Sequence, residues 1–160
     1  MNIQIKNIKV YEALSEETTC FTADVFVNGK KIAYAKNDGR GGCTDYRTYD
    51  PKHRPILEAA EEFAKTLPST FYRNLEIKST LENLIDDAIS NKEQLKEMEY
   101  AILVGKPDSP VWEVFAFTGK PKLKKLSPEM LQKLVDSAKS HIKDGEVILN
   151  TNLADLQVTL

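Results

Sequence analysis

Over the first fifty positions apolar and polar residues alternate with a period close to two, the signature of half-buried strands. Ile3, Ile5, Ile8 and Val10 give a broken alternation, which predicts one strand kinked near Asn7. Ser15-Glu16-Glu17 reads as a polar turn. Residues 20–27 predict a second strand, with Phe21, Ala23, Val25 and Val27 on one face and Cys20, Asp24 and Phe26 among the other. Asn28-Gly29 is the strongest hairpin signal in the chain, because a type I′ turn requires positive φ at both central residues. Ile32 and Tyr34, with Ala33 and Ala35 between them, make the return strand, and residues 45–49 predict a further short one.

The period then changes. Asp50-Pro51 and Pro55 open a helix whose apolar face is Ile56, Ala60, Phe63, Ala64 and Leu67, and Pro68-Ser69 stop it. Ser79-Thr80-Leu81-Glu82 reads as a capping box ahead of the stripe Leu81, Leu84, Ile85, Ala88 and Ile89. The charged residues over 92–99 predict a solvated helical continuation, either unbroken or restarted at Asn91. Residues 101–104 and 111–117 predict two more strands. Ser127-Pro128-Glu129 supplies a hydroxyl N-cap, a proline at the first helical position and an acid in the first turn. That helix presents Met130, Leu131, Leu134, Val135, Ala138 and Ile142 to a core. Asp144-Gly145 turns into a short strand over 146–149, followed by a loose tail.

Runs of strands and runs of helices, rather than regular alternation, predict an α+β fold. The expected architecture is an N-terminal antiparallel β-meander packed by helices, then a C-terminal β-β-α-β portion. It reads as a single domain over 1–160 with two lobes, 1–75 and 76–160.

Composition adds exclusions. Twenty-two basic against 24 acidic residues leave a net charge of −2, which argues against a general nucleic-acid coat. The N-terminus has no signal-peptide core, and no apolar run approaches a membrane span. The expected compartment is therefore the cytoplasm, without membrane association and with Cys20 and Cys43 reduced.

One segment breaks the strand pattern: Asn37-Asp38-Gly39-Arg40-Gly41-Gly42-Cys43-Thr44, which holds three of the seven glycines. Clustered glycines mark left-handed backbone or a close approach. One reading is a turn or bulge in which glycine, at Gly41 and Gly42 above all, serves shape alone. The other is a cradle of backbone N–H groups for phosphate or a nucleotide, helped by Arg40 and Thr44, with Tyr46, Arg47 and Tyr49 lining the same cleft. The segment lacks the ending of a P-loop and the spacing of a dinucleotide fingerprint. A turn alone has no use for a guanidinium, so Asp38 and Arg40 are the candidates for recognition.

Elsewhere the chemistry is sparse. Cys43 with His53 as base is a chance-level pairing, and a structural Cys43 packed beside Cys20 in the sheet explains it as well. His53 and His141 are too far apart in sequence to suggest a metal site. Asp86-Asp87 and Glu61-Glu62 read as solvated helix positions. Lys120, Lys122, Lys124 and Lys125 follow Trp112, Phe115 and Phe117, a nucleic-acid-like juxtaposition. Yet Val111, Phe115 and Phe117 fall on one face of a strand, as core residues do, which leaves the lysines to solvate a loop. No catalytic residue, metal or cofactor is assigned.

Two resemblances extend this reading. From Phe21-Thr22-Ala23-Asp24-Val25-Phe26-Val27-Asn28-Gly29 to Glu58-Ala59-Ala60-Glu61-Glu62-Phe63-Ala64-Lys65, the order of elements resembles the β-β-β-α part of a double-stranded-RNA-binding domain. In that family a lysine-rich helix start contacts RNA phosphates; here the place holds Asp50-Pro51-Lys52-His53-Arg54-Pro55, with part of the charge but not the pattern. Thr19-Cys20-Phe21-Thr22-Ala23, Val27-Asn28-Gly29-Lys30-Lys31, the segment 37–43 and Ile148-Leu149-Asn150 are similar to uncharacterised proteins carried by phages and plasmids. That resemblance implies a mobile-element accessory protein that inhibits or sequesters a host or defence component. The resulting expectation is a non-enzymatic binding protein with a protein partner. The alternatives are a nucleotide or phosphate ligand at the glycine loop, bound or turned over there, and an RNA-binding module.

Overall fold

The computed structural model describes residues 1–72, 75–107, 109 and 111–156, with 70–72 described by their backbone. The fold is α+β. The chain divides into two compact units, Met1–Ile89 and Ser90–Leu160.

In the first unit, β1 (Ile3–Val10), β2 (Phe21–Val27), β3 (Lys30–Asn37) and β4 (Asp45–Thr48) form an antiparallel meander in sequence order. The kink expected near Asn7 is a bulge. The β1–β2 register slips between Lys6 and Lys9, and Asn7 adopts φ 53°, a left-handed conformation that asparagine tolerates better than most residues. Asn28 and Gly29 take φ 49° and 80°, as a type I′ turn requires. A second bulge makes Ile32 the extra residue between the Val25–Ala33 and Phe26–Lys31 pairs, so Ile32 and Ala33 are both buried.

One face of this sheet is dry. Phe21, Ala23, Val25, Val27, Ala33 and Ala35 pack against Leu57, Ala60 and Ala64 of α1 (Arg54–Ala64) and Leu81, Ile85 and Ile89 of α2 (Leu81–Glu97). Helix α1 turns Leu57 inward, where the sequence suggested Phe63 and Leu67; those two are only partly buried. A 3-10 turn, Pro51–His53, precedes α1, with the Asp50 carboxylate accepting the Lys52 N–H at 3.0 Å.

The capping of α2 differs from the expected box. Thr80, not Ser79, accepts the Asn83 N–H at 3.1 Å, and Glu82 is drawn elsewhere. The helix runs unbroken to Glu97, without a restart at Asn91. A short hairpin, β5 (Thr70–Tyr72) and β6 (Leu75–Ile77), precedes it; no strand signal was read there.

The second unit follows the β-β-α-β order. Strand β7 (Ile102–Gly105) lies between β8 (Trp112–Phe115) and β9 (Val147–Ile148), all antiparallel, which explains why every β7 residue is buried. Helix α3 (Pro128–Lys139) begins at Ser127, whose hydroxyl accepts the Met130 N–H at 3.3 Å. Leu131, Leu134, Val135 and Ala138 enter the core. Met130 and Ile142 stay substantially exposed; Ile142 lies past the end of the helix at Lys139.

The segment after β9 is not a loose tail over its described length. Buried Asn150 accepts the Leu103 N–H at 2.7 Å and donates to the Ala101 carbonyl at 2.9 Å. Asn152 donates to the Met98 carbonyl at 3.0 Å, and Leu153 is buried. Residues 157–160 lie outside the described residues.

Asn150 therefore completes the edge of β7 where β9 has ended. Asn150→Ala strands a buried N–H and a buried carbonyl, and is expected to cost about 2–3 kcal/mol. Urea denaturation measures it, and a loss below about 0.5 kcal/mol would show that water replaces both bonds.

Candidate functional site

The glycine segment joins β3 to β4, and its shape starts with Asn37. That buried side chain accepts the Gly39 N–H and the Thr18 hydroxyl, both at 2.8 Å, and donates to the Gly42 carbonyl at 2.8 Å. An asparagine that bonds its own backbone two residues on builds an Asx turn. Gly39 then presents its carbonyl to the N–H groups of Glu16 and Glu17 at 2.9 Å. The Gly41 N–H reaches the Thr18 hydroxyl at 3.3 Å.

The glycines are not equivalent. Gly39 has φ +83°, and a Cβ there would lie 2.2 Å from the Leu14 carbonyl oxygen and 2.9 Å from Cys20 Cβ. Gly41 shares the positive φ but would meet the far end of the Glu17 side chain, whereas Gly42 has open space and ordinary φ. Shape thus demands Gly39 first and Gly41 second. Gly42, expected to matter for backbone geometry, is free of both constraints.

Thr44 leaves the segment toward α2. Its N–H donates to Glu82 Oε1 at 2.9 Å and its hydroxyl to Asp86 Oδ1 at 2.6 Å. Glu82 and Asp86 are one helical turn apart and share a face, so α2 holds the end of the segment with two carboxylates. Asp86 is exposed, as the sequence suggested, and it is also engaged by Thr44. Desolvation raises its pKa above the usual value, the Thr44 hydrogen bond opposes this, and Glu82 and Asp87 add to the rise.

Between the segment and the turn before β2 lies an open concavity of about 550 Å³. Asn37, Asp38, Arg40, Gly42 and Cys43 of the segment line it together with Leu14, Glu16 and Cys20. Arg40 is exposed, and no ion pair joins it to another described side chain. Asp38, also exposed, receives Lys36 Nζ at 3.3 Å. Gly39, Gly41 and Thr44 shape the segment without lining the concavity.

Tyr46 and Arg47, adjacent on β4, point to opposite sides of the sheet. Tyr46 is half-buried against the helices. Burial pushes its pKa up to about 12, with the charge and hydrogen bond of Glu61 and the charge of Glu82 adding to it. Arg47 lies on the open face, with its Nε 3.2 Å from the Asp45 carboxylate. Neither lines the concavity.

The other sequence candidates separate. Cys20 is buried and Cys43 exposed, both as free thiols; Cys43 lies in the loop, not packed in the sheet. His53 is 8% exposed, and neither ring nitrogen has a partner among the described residues. No hydrogen bond among them joins it to Cys43. Among the described residues no group of three or more His, Cys, Asp or Glu is placed to hold a metal ion.

In the basic run, Lys120 lies 3.9 Å from Glu97 and Lys122 pairs with Glu99. Phe115 and Phe117 pack on the second core, but Val111 is 72% exposed because β8 starts only at Trp112. The contributions of Leu14, Thr18, Cys20 and Glu82 to the glycine site were missed. Only the polar turn at 15–17 signalled that a loop lay nearby.

No family model matches this chain, and no curated protein and no solved structure matches it significantly.

Two measurements test the site's construction. Gly39→Ala is expected to cost at least about 2 kcal/mol through strain and the Leu14 clash, and Gly42→Ala less than about 0.5 kcal/mol; thermal melts of both variants decide.

The second concerns Asp86. Its raised folded-state pKa means that the native state binds this proton more tightly than the unfolded chain. The resulting stability is full below the unfolded value of 3.8 and is lost as pH rises through the folded pKa. Asp86→Asn keeps an acceptor for Thr44 and removes a charge that is only partly desolvated, since Asp86 stays exposed. In urea titrations it should be more stable than wild type at about pH 7, with the difference vanishing near about pH 3.

Proposed function

We propose that this chain is a non-enzymatic binding protein that docks a partner protein at the concavity beside the 37–44 loop. The carrying observation is the loop's division of labour. The N–H groups of Gly39, Gly41 and Thr44 are donated to Asn37, Thr18 and Glu82 of the same chain, while Asp38 and Arg40 stand exposed at the rim. A phosphate cradle needs its N–H groups pointing outward, so the nucleotide reading has less support. Arginine is enriched among the residues that carry most of the binding energy in protein interfaces.

The resemblance to phage- and plasmid-borne proteins supports an accessory role, sequestering or inhibiting a host or defence component in the cytoplasm. Two free thiols suit that compartment. Among the described residues no helix is long and apolar enough to cross a membrane, and the reading includes no membrane partner.

The test is affinity capture from a bacterial lysate with wild type and Arg40→Glu side by side. Wild type should retain one protein stoichiometrically, and Arg40→Glu should lose it at least about tenfold while melting at the same temperature. In parallel, nucleotides should leave the melting temperature unchanged. Stabilisation of about 2.7 kcal/mol at one hundred times a dissociation constant would transfer the loop to the ligand-binding reading.

A further inference from the structure

Helices α1 and α2 both pack on one face of the β1–β4 sheet, and among the described residues of the first unit no helix covers the other. Cross-strand register aligns three rows of outward side chains there: Lys6–Asp24–Tyr34–Arg47, Lys9–Thr22–Lys36–Asp45 and Gln4–Phe26–Lys31. Tyr49 extends the last row; its N–H bonds the Ile32 carbonyl at 3.2 Å, its ring centroid lies 5.6 Å from that of Tyr34, and it is 51% exposed. Five cations and three aromatic rings thus share one face of a chain whose net charge is −2.

Three carboxylates meet these cations, Asp24 at Lys31, Asp45 at Arg47 and Asp38 of the adjoining loop at Lys36, which leaves Lys6 and Lys9 without an ion pair among the described residues. Asp24 is nearly buried, and its oxygens take the Tyr49 hydroxyl at 2.5 Å, Asn7 Nδ2 at 2.7 Å and Lys31 Nζ at 2.9 Å. Burial alone would raise its pKa, but these three donors hold it below the usual value. Asp24 therefore fixes Tyr49 and Lys31 in place, with Lys31 Nζ 4.4 Å above the Tyr49 ring centroid. Asp45 sits at the edge against Arg47. Lys6 Nζ lies 5.0 Å from the Phe26 ring centroid, and Lys9 is exposed beyond it.

We propose that this face binds single-stranded nucleic acid, with unpaired bases stacking on Tyr34 and Tyr49 and phosphates meeting Lys6 and Lys9 and competing with Asp38 and Asp45 for Lys36 and Arg47. Alternating rings and cations on an open surface serve a flexible strand, because every base has a face to stack while its backbone is anionic. A duplex hides those faces. A protein partner is a poorer match, since lysine is depleted in protein interfaces. The surface meets the 37–44 loop only through the Lys36–Asp38 pair, and Arg40→Glu tells the two proposals apart.

Fluorescence anisotropy with labelled oligo(dT) and oligo(rU) of about 15 nucleotides, a duplex of equal length and unlabelled polyglutamate tests the assignment. Both single strands should bind, more weakly at about 200 mM than at about 50 mM salt, and the duplex at least about tenfold more weakly than either. Tyr34→Ala should weaken single-strand binding about tenfold, with Tyr34→Phe retaining it. Lys6→Ala and Arg47→Ala should each flatten the logarithmic salt slope by about 0.7.

Arg40→Glu, at the other surface, should bind like wild type, and all variants should melt normally. Three results would overturn the assignment. One is no anisotropy change at about 100 μM protein in low salt. Another is unaltered binding by Tyr34→Ala. The third is displacement by polyglutamate as efficient as by oligo(dT), which would make the face a site for acidic polypeptide instead.

Discussion

A four-stranded sheet has two faces, and in the first unit α1 and α2 both pack on the same one. Everything else in that unit follows from this one-sided burial. Residues of the dry face must be apolar and small enough for close packing, which Ala23, Ala33, Ala35, Ala60 and Ala64 satisfy. Residues of the other face must be polar or carry their own partners. Asp24 marks the limit of that rule: it is nearly as buried as the core, and it is tolerated because three donors surround its carboxylate.

The connection between β3 and β4 has the opposite problem. A loop that leaves the sheet beside its dry face must satisfy its backbone without ladder partners. Asn37, Thr18 and Glu82 do this for the N–H groups of Gly39, Gly41 and Thr44, while Gly39 lets the backbone approach Leu14 more closely than any Cβ would permit. The result is a loop that turns the N–H groups of Gly39, Gly41 and Thr44 toward its own chain and presents charge outward. That combination supports the proposed docking role better than an anion cradle, because the exposed Arg40 and Asp38 are what the loop offers to solvent.

The second unit repeats the theme with fewer parts. Its central strand β7 is flanked by β8 and by a β9 of two residues. The short β9 leaves backbone groups that a longer strand would have paired. Asn150 substitutes for that missing ladder with one amide, accepting from Leu103 and donating to Ala101. A side chain in place of strand is economical in length but concentrates the stability of that edge in a single residue.

Local pattern made much of this legible. Alternation identified β2 and its inward residues, Asn28-Gly29 identified the hairpin, and Ser127-Pro128 identified the start of α3; each depends on dihedral preferences within a few residues. The α+β class followed from the grouping of those elements. What the pattern could not reveal was set by neighbours distant in sequence. The rotation of α1 that buries Leu57 depends on the sheet it covers. Glu82 reads as a capping residue until Thr44, thirty-eight positions away in the chain, competes for it. Gly39 differs from Gly42 because its φ is +83° and because Leu14 and Cys20 lie against it. Composition and period describe what each residue prefers alone, and tertiary structure decides between preferences by placing a particular atom within reach.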